Sequence, residues 1–227
     1  MSTIDESGII TVTIDGPERN LLNPQVMAAV EADLLAADAN PDVKAIIITG
    51  AGDAFCGGLD LAGIRAGGDP LEYAACLAKL LKVFPRLTKP VAAAVNGDAV
   101  ASGGSIAAAC DYAVIVDHAL IGSYEVSVGV WPMVAQVPLI HRIGTKRAME
   151  NIGSGNPFSA KRAWEVGLVN MVVKPAHLLE TTREWLREAV RGGAANAGRV
   201  SFYELAELSY DDALDAALDK FAAQFRK

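Results

Sequence analysis

Short, dense apolar runs alternate along the first half of the chain with stretches in which apolar positions recur one helical turn apart. Gly8 to Ile14 is rich in β-branched residues and reads as a strand. Asn23-Pro24 sets a side-chain cap before a proline at the first helical position, and Val26, Val30 and Leu34 then fall a turn apart on the helix this predicts. Val43 to Thr49 is a short apolar run ending in Gly50-Ala51-Gly52, the pattern of a strand covered on both faces. Asp69-Pro70 repeats the cap and proline, predicting a helix through Leu77, Leu80, Leu81 and Phe84 that stops near Pro85. Val91 to Val95 is another buried strand, followed by a Gly and Ser turn, a small-residue helix from Ser105 to Ala109, and a strand from Tyr112 to Val116.

Beyond Pro132 the texture turns helical. Helices are expected over 133–142, 145–152, 159–166, 176–191, 200–208 and 211–226, with one strand at 168–173. No linker or charge block divides the chain; only its texture changes near the middle, from alternating strand and helix signals to mostly helical ones. Leu214, Leu218, Phe221 and Phe225 form one apolar stripe on the last helix. Its expected partner is the chain's own core, with a subunit contact as the alternative.

Composition narrows this picture. With 52% hydrophobic and 21% charged residues in a chain of 227, one domain can bury a core, and the composition disfavours disorder. Much of the apolar content is Ala, and aromatics are only 6%, so helices should approach closely. The most apolar stretch, Val91 to Val116, is broken by Asn96, Asp98, Gly103, Gly104 and Asp111, and falls short of a membrane span. Twenty Lys and Arg against 27 Asp and Glu give a net charge of −7, which disfavours nucleic acid or an anionic membrane as partner. The N-terminus shows no basic segment leading into an apolar one, so no secretory leader is expected. Cys56, Cys76 and Cys110 are odd in number and match no zinc spacing, which suggests reduced thiols and a cytoplasmic setting.

Two segments share a design with chemical consequences. Gly57-Gly58-Leu59-Asp60 and Ser102-Gly103-Gly104-Ser105 each follow a buried strand and a turn, and each precedes a short helix. Each presents backbone N–H groups at a helix start, with glycines removing side chains that would keep a ligand away. Aimed at one point, two such donors form an oxyanion hole; tight turns that simply need positive φ are the alternative. A dinucleotide fingerprint fails at Gly50-Ala51-Gly52, because Phe55 stands where its third glycine belongs. Phosphate-loop, zinc-protease and nucleophile-elbow motifs are missing, and His118, His141 and His177 lack metal-ligand spacing, so no metal site is expected. Glu125 is the remaining polar candidate: it lies among small, apolar and aromatic residues from Ile121 to Trp131, surroundings that suit a general base or acid, with a merely solvated loop carboxylate as the alternative.

Taken together, several motifs resemble the crotonase (enoyl-CoA hydratase/isomerase) superfamily. They are Arg19-Asn-Leu-Leu-Asn-Pro24, Ala54-Phe-Cys-Gly-Gly-Leu-Asp60, Lys89-Pro-Val-Ala-Ala-Ala-Val-Asn-Gly97, Ser102-Gly-Gly104 leading to Ala109-Cys-Asp111, and Ala163-Trp-Glu-Val-Gly-Leu-Val169. The resemblance implies an α/β fold, a crotonase-like spiral of β-β-α units over 1–173 with a helical C-terminal region at 174–227, assembled as homotrimers or hexamers. It also implies an acyl-CoA thioester substrate whose carbonyl oxygen is held by two backbone N–H groups, here those of Leu59 and Ser102. Coenzyme A is then part of the substrate, and no separate cofactor is implied.

In the family's hydratases two glutamates hold one water. The second maps onto Glu125 and the first onto Ser105. A lone carboxylate suits moving a double bond, from 3-enoyl-CoA to 2-enoyl-CoA, better than adding water, so isomerisation leads the expectation. Hydration, other crotonase chemistry (a lyase or thioester hydrolase) and a non-catalytic CoA-binding scaffold are the alternatives. Gly58, Gly103, Asp60 and Ser105 are expected around the thioester, and Trp131, Met133, Phe84 and Leu80 are candidates for an acyl pocket. Arg19 and Lys89 are candidate partners of the CoA phosphates, and Asp98 is read as a turn cap. The chain ends without the further basic and aromatic helix with which many relatives cover CoA, so CoA affinity or oligomer contacts are expected to differ.

Overall fold

The computed structural model describes residues 4–225. Its strands are β1 (Ile9–Ile14), β2 (Ala45–Gly50), β3 (Val91–Val95), β4 (Ala99–Val100), β5 (Tyr112–Val116), β6 (Leu120–Gly122), β7 (Phe158–Ser159) and β8 (Met171–Val173). Its helices are α1 (Pro17–Asn20), α2 (Pro24–Ala39), α3 (Leu61–Arg65), α4 (Pro70–Val83), α5 (Ser102–Ala109), α6 (Gln136–Ser154), α7 (Ala160–Glu165), α8 (Leu178–Val190), α9 (Ala194–Ala206) and α10 (Tyr210–Gln224).

Five strands form a parallel sheet in the order β1-β2-β3-β5-β8. Every residue of β3 is buried, as expected for the central strand of a sheet covered on both faces. Small side chains make this dense packing feasible: Ala92, Ala93 and Ala94 in β3 register against Tyr112, Ala113 and Val114 in β5. The predicted caps form as read, with the Asn23 side chain accepting from the Val26 N–H and that of Asp69 from the Leu71 N–H. α2 packs against α4, and α8 crosses β3 and β5, burying Leu178, Thr182 and Leu186 and stacking Trp185 on Tyr112 with ring centres 4.4 Å apart.

A second, three-stranded sheet, β4-β6-β7, is made of strands only two or three residues long. Its function in the fold is placement: β4 runs into α5, and β6 runs into Ser123 and Glu125. Ala99 also bridges to Cys56, which ties the first Gly-rich turn to the second.

Three expectations need correction. α5 starts at Ser102 rather than Ser105, because Ala101 takes φ 53° and turns the chain directly into the helix. The helices expected over 133–142 and 145–152 are one run, α6, broken only at Gly144, whose φ of 75° no ordinary helical residue adopts. The C-terminal stripe does not enter the core: Leu218 is 68% and Phe225 71% exposed, and α10 packs against α9.

Candidate active site

From Phe55 to Asp60 the backbone donors are used in turn, with one exception. The Phe55 and Cys56 N–H groups both donate to the Asp98 carbonyl, Gly57 to that of Arg19, and Asp60 to that of Leu22. The Gly58 carbonyl accepts from Leu22, and the Gly58 N–H points at the Cys56 sulfur. The Leu59 N–H is passed over and has no partner among the described residues. In the second turn Val100 donates to Cys56 and Ala101 to Gly122, and Ser102 then opens α5 with an N–H that the helix cannot satisfy. Each turn thus leaves a donor without a partner, the Leu59 N–H in the first and the Ser102 N–H in the second.

The turns touch backbone to backbone. A Cβ at Gly58, where φ is +95°, would lie 2.6 Å from the Ala101 Cβ and 3.6 Å from the Ser102 nitrogen. A Cβ at Gly103 would fall 2.3 Å from the Cys56 carbonyl oxygen. Ala101 is a non-glycine residue at positive φ, a conformation that costs on the order of 1–3 kcal/mol and concentrates at functional sites.

Glu125 begins a short 3-10 turn, Glu125–Val128, directly after β6. Its Oε2 accepts the Ser123 hydroxyl at 2.5 Å and the Tyr124 N–H at 2.9 Å. Oε1 has no partner among the described residues and is the oxygen available to take a proton. Leu59, Ser102, Glu125 and Trp131 all line one cavity of about 190 Å³, whose remaining wall is almost wholly apolar and includes Leu77, Val130 and Met133. Tyr124 lines it too, but Glu125 is its only carboxylate among the described residues. Such a cavity can hold an oxyanion at the two N–H groups and move a proton at the carboxylate.

The other expected site residues have different duties. Asp60 caps α3, accepting from the Gly63 N–H at 2.8 Å. Ser105 is fully buried outside the cavity wall and donates its hydroxyl to the Ala135 carbonyl at 2.6 Å. Leu80 and Phe84 are core residues. Arg19 donates to Asp98 at 2.6 Å, and the other Asp98 oxygen accepts from the Leu120 N–H, so Asp98 joins three segments instead of capping its own turn. Lys89 is buried, with its ammonium donating to the Asn40 and Val43 carbonyls. Lys89 is therefore spent inside the fold, whereas Arg19 stays 59% exposed beside Asp98. Cys56 and Cys110 are buried thiols, and burial pushes the Cys56 thiol up to about 12. Sequence reasoning missed Ser123 and Asn151; a lone Asn on the otherwise apolar buried face of α6 was the available signal.

A model of the enoyl-CoA hydratase/isomerase family matches residues 5–220. The chain belongs to that family. Among its relatives, the crotonyl-CoA hydratase of Syntrophomonas wolfei is 28% identical over 97% of this chain and 87% of its own. The mevalonyl-coenzyme A hydratase of Aspergillus fumigatus is 33% identical over 95% of this chain and 83% of its own. A solved enoyl-CoA hydratase from Mycobacterium smegmatis superposes with a TM-score of 0.93 at 29% identity, covering 100% of this chain and 91% of that one. The spiral crotonase architecture and acyl-CoA chemistry expected from the sequence are thus the family's own. Among the described residues no helix is long and apolar enough to cross a membrane.

Proposed function

We propose that this family member isomerises an enoyl-CoA, moving the double bond from the β,γ to the α,β position through a thioester enolate. The observation that carries the reading is the convergence of two unpaired N–H donors and a single carboxylate on one apolar cavity. The Glu125 carboxylate takes a proton from the α-carbon, and the electron pair left behind delocalises onto the thioester oxygen, held by the Leu59 and Ser102 N–H groups. When that pair returns, the α,β double bond forms, the β,γ bond opens, and the γ-carbon takes the proton back from Glu125. Atoms balance with no water and no added cofactor, since coenzyme A is carried by the substrate.

Hydration is the second reading, and the names of the relatives favour it. It asks for a water placed by more than one group, and Ser105 spends its hydroxyl on Ala135. The two reactions separate in one assay. Incubation with 3-hexenoyl-CoA should raise the absorbance of the conjugated thioester, whereas crotonyl-CoA should lose little of it. Loss of crotonyl-CoA absorbance without any gain from 3-hexenoyl-CoA would establish hydration instead. Under either reading Glu125→Gln should lower the rate by about 10²- to 10⁴-fold; retention of full activity would remove Glu125 as the base. We also infer a homotrimer or hexamer, supported by the exposed apolar stripe of α10.

A further inference from the structure

A carboxylate at the start of a short turn needs something to fix it. Ser123 is 1% exposed, and its hydroxyl donates to Glu125 Oε2 at 2.5 Å. The backbone of Ser123 is itself gripped on both sides by one side chain. Asn151, also 1% exposed, accepts the Ser123 N–H at 2.7 Å through Oδ1 and donates to the Ser123 carbonyl at 2.9 Å through Nδ2. The same Nδ2 donates to the Asn156 carbonyl at 2.8 Å. Gly122, at φ +119°, lets this approach occur: a Cβ there would sit 2.5 Å from Asn151 Oδ1. All these groups are satisfied, so the network can hold only one arrangement without leaving a buried polar atom unpaired.

We propose that Ser123, fixed by Asn151, is a positioning residue for Glu125. Its hydroxyl, together with the Tyr124 N–H, occupies Oε2 and leaves Oε1 as the oxygen that exchanges protons with the substrate. The amide of Asn151 anchors this geometry to α6, the helix that follows the Trp131–Ala135 wall of the cavity. The inference rests on the assignment of Glu125 as base.

The test compares Ser123→Ala, Ser123→Thr and Glu125→Gln, reading the exchange of the α-proton of 3-hexenoyl-CoA in deuterium oxide together with kcat and KM. Charge-assisted hydrogen bonds are the strong ones, so Ser123→Ala should slow exchange and kcat about tenfold or more while KM stays within about twofold. Ser123→Thr, which restores a hydroxyl on the same carbon, should recover most of the rate. An unchanged rate in Ser123→Ala, a KM that rises in step with the loss, or a Thr variant no better than Ala would each overturn the positioning role. If Glu125→Gln keeps its exchange, the base assignment itself falls; if Glu125→Gln is inactive and Ser123→Ala is not impaired, only the role of Ser123 falls.

Discussion

Gly58 shows how little room the proposed oxyanion site leaves. With φ at +95° and a would-be Cβ 2.6 Å from that of Ala101, any side chain both strains the backbone and wedges the two turns apart. Gly58→Ala is expected to cost about 10²- to 10³-fold in kcat, the usual penalty for displacing one oxyanion donor, with circular dichroism showing the fold retained. Steady-state kinetics giving an unchanged kcat would argue against Leu59 N–H as a donor. The sites that could be read in the sequence share a local cause. A Gly pair before a helix and a lone Glu among apolar residues are visible within a few positions, and Leu59, Ser102 and Glu125 do meet in one cavity. Asn151 left a local signal on α6, but its partnership with Ser123 was not readable, because their bond spans 28 residues. Lys89 misled for a related reason: a charged residue type does not reveal that its ammonium will be taken up by two distant backbone carbonyls.

α5 carries one donor at its first residue, and its other end is clamped. Arg142 donates to the Ala108 and Cys110 carbonyls, which suits a cation at a helix C-terminus. Asp111, just beyond, takes a two-pronged pair from Arg199 at 2.7 and 2.8 Å and the Tyr203 hydroxyl at 2.5 Å, fastening α9 to the core. Arg199 is nearly buried, so Arg199→Ala should destabilise the protein by about 3 kcal/mol in urea unfolding, the scale for breaking a buried pair from one side. Burial, then the Asp111 charge, push the Tyr203 phenol from 10.0 up to about 12. The folded state thus favours the neutral phenol, and that contribution is intact below pH 10 and declines as pH rises from 10 through about 12. Tyr203→Phe should flatten that part of the decline, and an unaltered pH profile would exclude Tyr203 as its source. Strands β3 and β5 match their predicted bounds because long apolar runs fix them. β4, β6 and β7 are too short to leave any periodicity, although β4 and β6 lead into the site. The start of α5 depended on the φ of Ala101, which no pattern of apolar residues encodes.

At the scale of the molecule, the proposed homotrimer or hexamer has to be reconciled with the surface. Leu214, Leu218 and Phe221 on α10, Phe225 at its C-cap and Phe202 on α9 are all more than half exposed, while every residue of β3 is buried. Apolar positions exposed together in this way are where the proposed contact between copies would form. The net charge of −7 works against association of identical copies, so any contact must draw on apolar area more than on charge. Two consequences separate assembly through this stripe from a monomer. Sedimentation should return a mass that is a multiple of 23.8 kDa, and raising the salt should tighten association by screening repulsion between the acidic copies. The double substitution Leu218→Asp and Phe221→Asp adds charge at two exposed positions, so it should shift the mass towards a single chain while leaving the sheet and cavity intact. A wild-type chain that sediments as a monomer at every salt concentration would refute the trimer or hexamer. An oligomer indifferent to both substitutions would place the contact elsewhere, and the stripe on α10 would then need a different partner.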